Sequence, residues 1–415
     1  LYRILLPVDD ASYTRPGPVA RCHPGTHLKV IAEIDKWIED SDNSPIFWLN
    51  GPAGSGKSAI SQTIAERYAA QQKLAASFFF FRGAGQRSTI QYLIPTLAYQ
   101  VSMFHAAAEA ILIRTMSKEP NLHEQALYYQ LDKLLINPIQ ATGLELSKII
   151  IIIDALDECN DKELISEFIE AIVDICNNLD VQLPFKIFLT SRVEEHIQEQ
   201  FYDSTTQSVI KYLSLQNFDA TKDIKQYLES RLSLLCKKIY RMMHSIPRPW
   251  PSKKHLERLS RNAASSFIIA STLVTFIEKA KGHPDDNLKE ALDMSDGLDP
   301  VYHQVITTAV QENKTLKNKD LHILDRVLAV IVLAGKPLSV TSISVLLEIK
   351  AYHIVQMLLG LQAILLIPER DNDEPVRLFH TSLRDYLCSE ERSKELCINM
   401  QQGHTRLTVR CLRLI

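Results

Sequence analysis

Pro45-Ile46-Phe47-Trp48-Leu49 leads into Gly51-Pro52-Ala53-Gly54-Ser55-Gly56-Lys57-Ser58, and the reading of this stretch decides the fold. The apolar run reads as a short buried strand, and Ile60, Ile64 and Tyr68 recur on one side of the helix that follows. The residues between fit G-x-x-x-x-G-K-[ST]. Glycines there let backbone N–H groups turn inward around phosphate oxygens, and the helix that begins there adds its positive N-terminal end. Lys57 is expected to reach the β- and γ-phosphates, and the Ser58 hydroxyl to ligate Mg²⁺; Ala59 is counted with Gly51 to Ser58 in the nucleotide-lining set. A tight glycine turn with an accidental lysine is the plainer alternative, and the strand before and amphipathic helix after it argue against that.

A second stretch supplies the other half. Ile149 to Ile153 is five consecutive isoleucines, which suits a central strand covered on both faces. Asp154 then falls at the carboxyl end of a buried strand, where open parallel sheets bind ligands and where a metal-holding Asp is expected. Asp157 and Glu158 lie just beyond, where a carboxylate can orient or deprotonate an attacking water. Glu158 is the favoured base and Asp157 the alternative; the plainer reading is that both cap the next helix. Phe185 to Thr190 is a further strand, and Arg192 just past it can point into the same crevice and sense the γ-phosphate. Arg82, after the strand Ala75 to Phe81, is a weaker case of the same logic.

Between these strands the pattern is helical, at Leu28 to Ile38, Ile90 to Leu135 and Leu164 to Cys176. The alternation predicts an α/β domain with a parallel sheet. A polar turn falls at Asp40 to Ser44, and residues 1 to 25 are Pro-rich and irregular (Pro7, Pro16, Pro18, Pro24). After about Leu215 the pattern turns helical: Asp223 to Cys236, His255 to Arg261 and Phe267 to Lys281, with loops at Gly282 to Asp286 and Asp296 to Pro300. Leu321 to Ala334, a helix through Leu347 capped by Ser339, and Ala351 to Leu361 precede two strands, Ala363 to Pro368 and Val376 to Phe379, joined by Arg370 to Glu374. Three helices and a two-stranded ribbon is the winged-helix arrangement. The boundaries are 1–45 for a linker and helix, 46–215 for the nucleotide-binding core, 216–300 for a helical lid, 301–390 for the winged helix and 391–415 for the start of a further helical region.

Composition limits the alternatives. The chain has 415 residues, room for two to four domains at about 150 residues each. With 46 Lys+Arg against 49 Asp+Glu the net charge is −3, so no global basic field holds nucleic acid or an anionic membrane. Its seven cysteines are scattered, without a C-x-x-C pair, which points to reduced thiols and a cytoplasmic setting. No apolar run approaches the ~18 residues of a membrane span. There is no signal peptide, H-E-x-x-H, G-x-S-x-G or cysteine-nucleophile signature. A chain that begins with Leu and ends with Ile reads as part of a longer protein.

Taken together, the chain resembles a NACHT-domain protein of the STAND class of P-loop ATPases, of the fungal NLR-like type. Asp154-Ala155-Leu156-Asp157-Glu158-Cys159 resembles the family's second nucleotide motif. Cys22 to Thr26, Gly51 to Ser58, Pro95 to Gln100, Leu189 to Arg192 and Phe379 to Leu387 are similar to the surroundings seen in that family. The resemblance runs from about Ile4 to Leu414. It implies a NACHT/AAA+-like P-loop parallel sheet followed by a helical lid and a winged helix. It also implies an ATP/ADP switch with Mg²⁺ (GTP in some members), oligomerisation on ATP binding, and a role in fungal non-self recognition and regulated cell death. By the same resemblance Arg192 is the first sensor arginine, and His380 holds the ADP β-phosphate in the closed state. Effector and repeat-sensor domains would be fused outside this chain. His27 stands where an Arg commonly follows Gly-Thr, and Ser265-Ser266-Phe267-Ile268 where Gly-Leu-Phe-Ile is usual.

Two other readings fit the motifs less well. A DNA-binding ATPase regulator would use the winged helix, but Ala351 to Leu361 offers only Lys350, His353 and Gln356 as polar readers, beside acidic Asp371, Asp373 and Glu374. A scaffold that binds nucleotide without hydrolysis sits poorly with intact Asp154, Asp157 and Glu158.

Overall fold

Strand β1 (Ile46–Asn50) runs between β4 (Lys186–Ser191) and β5 (Ile210–Ser214), and β3 (Ile150–Asp154) lies between β4 and β2 (Leu74–Phe79). All these pairings are parallel, in the order β2-β3-β4-β1-β5. The computed structural model describes the chain apart from residues 18, 41–43, 144–148, 178–182, 203–208, 242, 245, 264, 281, 295–297, 314–320, 369–373 and 415. Pro18, the middle of the Asp40 to Ser44 turn, Lys281, Asp296, Gly297 and Arg370 to Asp373 therefore lie outside the described residues. Two compact units divide the chain, Leu1–Phe218 and Asp219–Ile415.

The isoleucine run shows why the sheet is buried on both faces. Side chains alternate along a strand. Ile150 and Ile152 pack on one side with Phe47, Leu49 and Phe188, beneath the helices Leu28–Glu39 and Lys57–Ala70. Ile151 and Ile153 pack on the other with Ile46, Trp48, Phe78, Ile187 and Leu189, beneath Leu93–Phe104 and Lys162–Asn177. The predicted parallel α/β sheet is thus observed.

The sequence reading lacks β5 and the helix Glu195–Tyr202, and also two short helices, Asn137–Gln140 and Tyr2–Leu5, the latter inside the stretch 1–25 expected to be irregular. Strand β5 is an edge strand in which Ile210 is buried, Lys211 half-buried and Tyr212 exposed, so it lacks a long apolar run. Among the described residues, the helix Glu195–Tyr202 shows only Ile197 and Phe201 to the core.

The second unit is helical, with a ribbon of β6 (Leu365–Leu366) and β7 (Arg377–Leu378). Its early helices Thr221–Lys238, Lys253–Asn262 and Phe267–Lys279 follow the sequence reading. The loop expected at Gly282 to Asp286 needs correction: Pro284–Asp293 is a helix. His283 caps it, Nδ1 accepting the Asp285 N–H at 3.2 Å, and Pro284 stands in the first turn where no N–H is needed. The loop expected at Asp296 to Pro300 is likewise shortened, because Asp299–Asn313 is a helix. In both cases polar residues that look like a break in the sequence start a helix.

The helices Leu321–Leu333, Val340–Leu347 and Ala351–Leu359 are present, and Ser339 Oγ accepts the Ser342 N–H at 3.1 Å as the expected cap. The ribbon strands are shorter than read, two residues each, with a further antiparallel bridge between Ser339 and Pro375. Among the described residues no single helix is long and apolar enough to cross a membrane.

Candidate functional site

The sheet order brings the carboxyl ends of β1, β4 and β3 side by side, and the glycine loop, Asp154, Asp157, Glu158 and Arg192 lie at or just beyond them, with Arg82 beyond the neighbouring β2. Asn50 pairs with Ser191, and Ile153 with Leu189, so the residues just beyond each strand converge.

Beyond β1 the chain turns through Gly51 to Gly56 and enters the helix Lys57–Ala70. Gly54 and Gly56 have φ of 75° and 99°, the left-handed region that favours glycine. A Cβ on Gly56 would stand 2.5 Å from His27 Nε2. One on Gly51 would stand 2.9 Å from both Leu215 Cβ and Ser55 Oγ. The cradle is therefore one that side chains would fill. Lys57 is buried, and its Nζ donates to the carbonyls of Gly51 at 2.7 Å and Pro52 at 2.9 Å. Burial lowers its proton affinity, and the charge of Asp157 works against that. Ser58 is exposed in the first turn of the helix, next to Ala59.

Asp154 is the last residue of β3 and is buried. Its Oδ1 accepts from Ser61 Oγ at 2.7 Å and Thr190 Oγ1 at 2.6 Å. The carboxylate is thus oriented from the glycine-loop helix and from β4 together. Sequence reading missed Ser61 and Thr190; the signal was that Ser61 lies one turn into the helix and Thr190 at the end of a strand two residues before Arg192.

Ala155, at φ 60°, turns the chain into the short turn Leu156–Glu158. Asp157 Oδ1 accepts the Arg192 N–H at 2.9 Å, and its Oδ2 lies 3.2 Å from Arg192 Nε. Glu158 Oε2 accepts the Arg82 N–H at 3.0 Å, while Arg82 Nη2 donates to the Asp157 carbonyl at 2.7 Å. The helix that follows begins at Lys162, and it is Asp161 that accepts the Leu164 N–H, so neither acid serves as its cap. Burial of its carboxyl, reinforced by the neighbouring charge of Asp157, pushes Glu158 up to about 7. Arg82, the weaker of the two arginines in the sequence, is tied to the acidic turn as closely as Arg192.

His380 belongs to the second unit. It follows β7 and precedes the helix Ser382–Leu387. Its Nδ1 accepts the Ser382 N–H at 3.1 Å and lies 2.7 Å from Ser382 Oγ, which in turn lies 2.8 Å from the hydroxyl of buried Tyr302. Among the described residues no cluster of His, Cys, Asp or Glu could by itself hold a metal ion.

A parallel sheet, a glycine loop opening a helix with Lys at its first position, and a carboxylate at the end of a nearby strand define a P-loop nucleotide-binding fold. Residues 26–192 match the family described as Nephrocystin 3, N-terminal. No curated protein matches the chain. Among solved structures, the chain is similar to a signal transduction ATPase with numerous domains (STAND) protein with a tetratricopeptide repeat sensor from Pyrococcus horikoshii. That likeness has 13% identity and a TM-score of 0.46, over 95% of this chain and 46% of that one. The chain thus spans under half of that protein. It is also similar to the ORC2 protein of Aeropyrum pernix in its ADP form, at 13% identity and TM-score 0.37, over 76% and 79% of the two chains. The ORC1 protein of the same organism in complex with DNA is matched at 13% identity and TM-score 0.36, over 99% and 97%.

Proposed function

We propose that this chain is a nucleotide-operated switch that binds ATP or ADP with Mg²⁺ and hydrolyses ATP slowly. The observation that carries the reading is the convergence of Lys57, Asp154, Asp157, Glu158 and Arg192 on the carboxyl ends of three adjacent strands. In this account Gly51 to Ala59 cradle the phosphates, and Lys57 exchanges its two loop carbonyls for β- and γ-phosphate oxygens. Ser58 and Asp154 would hold Mg²⁺, which supplies charge neutralisation on the phosphates. Ser61 and Thr190 fix the direction of Asp154. Glu158, with its raised proton affinity, takes a proton from the attacking water near neutral pH. Asp157 holds Arg192 so that its guanidinium faces the crevice and registers the γ-phosphate.

Binding, rather than turnover, is the output. A switch of this kind works only if ATP and ADP differ in affinity for two arrangements of the protein. We assign the ATP side to Arg192 and the ADP side to His380, on a winged helix formed by the three helices and ribbon of the second unit, after a helical lid. The exchange controls opening and self-oligomerisation. The setting is cytoplasmic, in fungal non-self recognition or regulated cell death, and GTP is the alternative nucleotide. Nucleic acid has no part in this reading; a salt-dependent DNA shift at low micromolar protein would bring it back.

The test is sedimentation of the purified chain with ADP and with a non-hydrolysable ATP analogue, beside single-turnover ATP hydrolysis. The reading expects ADP to hold a smaller species, the analogue to favour a larger one, and hydrolysis to be slow but abolished in Glu158→Gln. Identical sedimentation with both nucleotides would refute the switch.

A further inference from the structure

The second unit holds a cleft that the nucleotide reading leaves unused. It is a cavity of about 480 Å³ lined by the helices Leu321–Leu333 and Met400–Leu414, by the residues just before the latter, and by Leu347 at the end of the helix Val340–Leu347. Pockets that enclose small organic ligands are of this size. Its lining combines apolar residues (Val330, Leu347, Ile398) with Arg326, Arg406 and Arg410.

Arg406 and Arg410 stand four residues apart on one helix, a like-charge spacing that is unfavourable by itself. Arg326 faces the same cavity from the other helix, its Nη2 held by the Leu347 carbonyl at 3.0 Å. Burial lowers its proton affinity; the charges of Arg410 and Arg406 add to that, and Glu348 opposes it. Arg410 Nη1 lies 2.9 Å from Glu348 Oε2, but this enclosed atom makes no hydrogen bond among the described residues. An enclosed guanidinium N–H that makes no hydrogen bond is costly. With Asp325 in the lining and Glu348 paired to Arg410, three cations stand beside two acids. Leu333 Cδ1 stands 2.2 Å from the place of a Cβ on Gly403, so the two helices meet closely beside the cleft and hold its walls.

We propose that this cleft binds a small organic anion, an oxyanion head (phosphate or carboxylate) on an apolar body. The head sits among the guanidinium forks, which can each present two parallel N–H donors to it. It gives Arg410 Nη1 a hydrogen bond beside its ion pair with Glu348 and relieves the repulsion among the three arginines. The body rests on Val330, Leu347 and Ile398.

The test is calorimetric titration of the wild-type and Lys57→Ala chains with phenyl phosphate and, separately, benzoate; Lys57→Ala removes the glycine loop as a competing phosphate site. The proposal expects saturable binding of at least one probe to both chains, and the tighter probe identifies the head. Arg406→Gln/Arg410→Gln should weaken it by about tenfold or more, and inorganic phosphate should bind about tenfold more weakly than phenyl phosphate. Arg406→Gln alone, at an exposed position, serves if the double variant does not fold, and should still weaken binding several-fold. Unsaturable titrations, an affinity the arginine variants leave unchanged, or a preference for an acidic peptide over both probes would overturn the proposal.

Discussion

Asp157 holds Arg192 twice, through the backbone N–H at 2.9 Å and through Nε at 3.2 Å, across the carboxyl ends of adjacent strands. The acid is almost fully enclosed and the arginine partly open, with side-chain exposures of 2% and 25%. Removing the arginine side chain leaves a buried carboxylate with one partner fewer. Arg192→Ala should therefore destabilise the first unit by roughly 1–3 kcal/mol. Its effect on ATP hydrolysis should exceed its effect on ADP affinity. Denaturant melts with single-turnover rates and ADP titrations check this; equal losses in ATP and ADP binding would remove Arg192 from the γ-phosphate.

Glu158 gives a pH dependence with a definite sign. Its carboxyl is raised from 4.5 to about 7, so the folded chain holds that proton more tightly than the unfolded chain does. The cost of the buried charge is absent below about 4.5, grows as pH rises, and is complete above about 7. Glu158→Gln should therefore be more stable than wild type at pH 8, by up to roughly 3 kcal/mol, with the difference gone near pH 4.5. Hydrolysis by wild type should rise with pH through about 7, and the variant should lack that limb. Denaturation series at several pH values and a pH–rate profile read the two effects separately.

The donors to Asp154 offer a third prediction. Thr190→Val removes the hydroxyl 2.6 Å from Oδ1 while keeping the shape. It should cost about 1–2 kcal/mol and lower the affinity for Mg²⁺-ATP more than that for ATP without metal. Equal losses with and without Mg²⁺ would show that Asp154 has no metal to hold.

Gly56 tests the cradle sterically. Gly56→Ala meets two obstacles, a φ of 99° and the His27 ring at 2.5 Å. It should abolish tight nucleotide binding and destabilise by about 1–3 kcal/mol. Adding His27→Ala should recover only part of the loss, because the backbone strain remains. Melting curves and nucleotide titrations of the single and double variants measure the two contributions.

Much of the first unit was legible because its chemistry is local. The glycine loop, the isoleucine strand and the acids after it each declare themselves within a dozen residues. What the sequence hid was lateral. That Ser61 and Thr190 reach one oxygen of Asp154, and that Arg82 and Arg192 flank one acidic turn, depends on the strand order β2-β3-β4-β1-β5, which no single stretch contains. Strand β5 escaped because an edge strand need bury only part of itself. The helix after Pro284 escaped because proline and two aspartates mark a helix start as readily as a loop.

The measurement that bears most directly on the central claim is the affinity of purified intact chain for ATP and ADP, with and without Mg²⁺, beside Lys57→Ala. The account predicts tight binding of both nucleotides, and a loss of about tenfold or more in the variant while its fold is retained. Purine nucleotide affinity that is absent, or that is the same in both proteins, would contradict it.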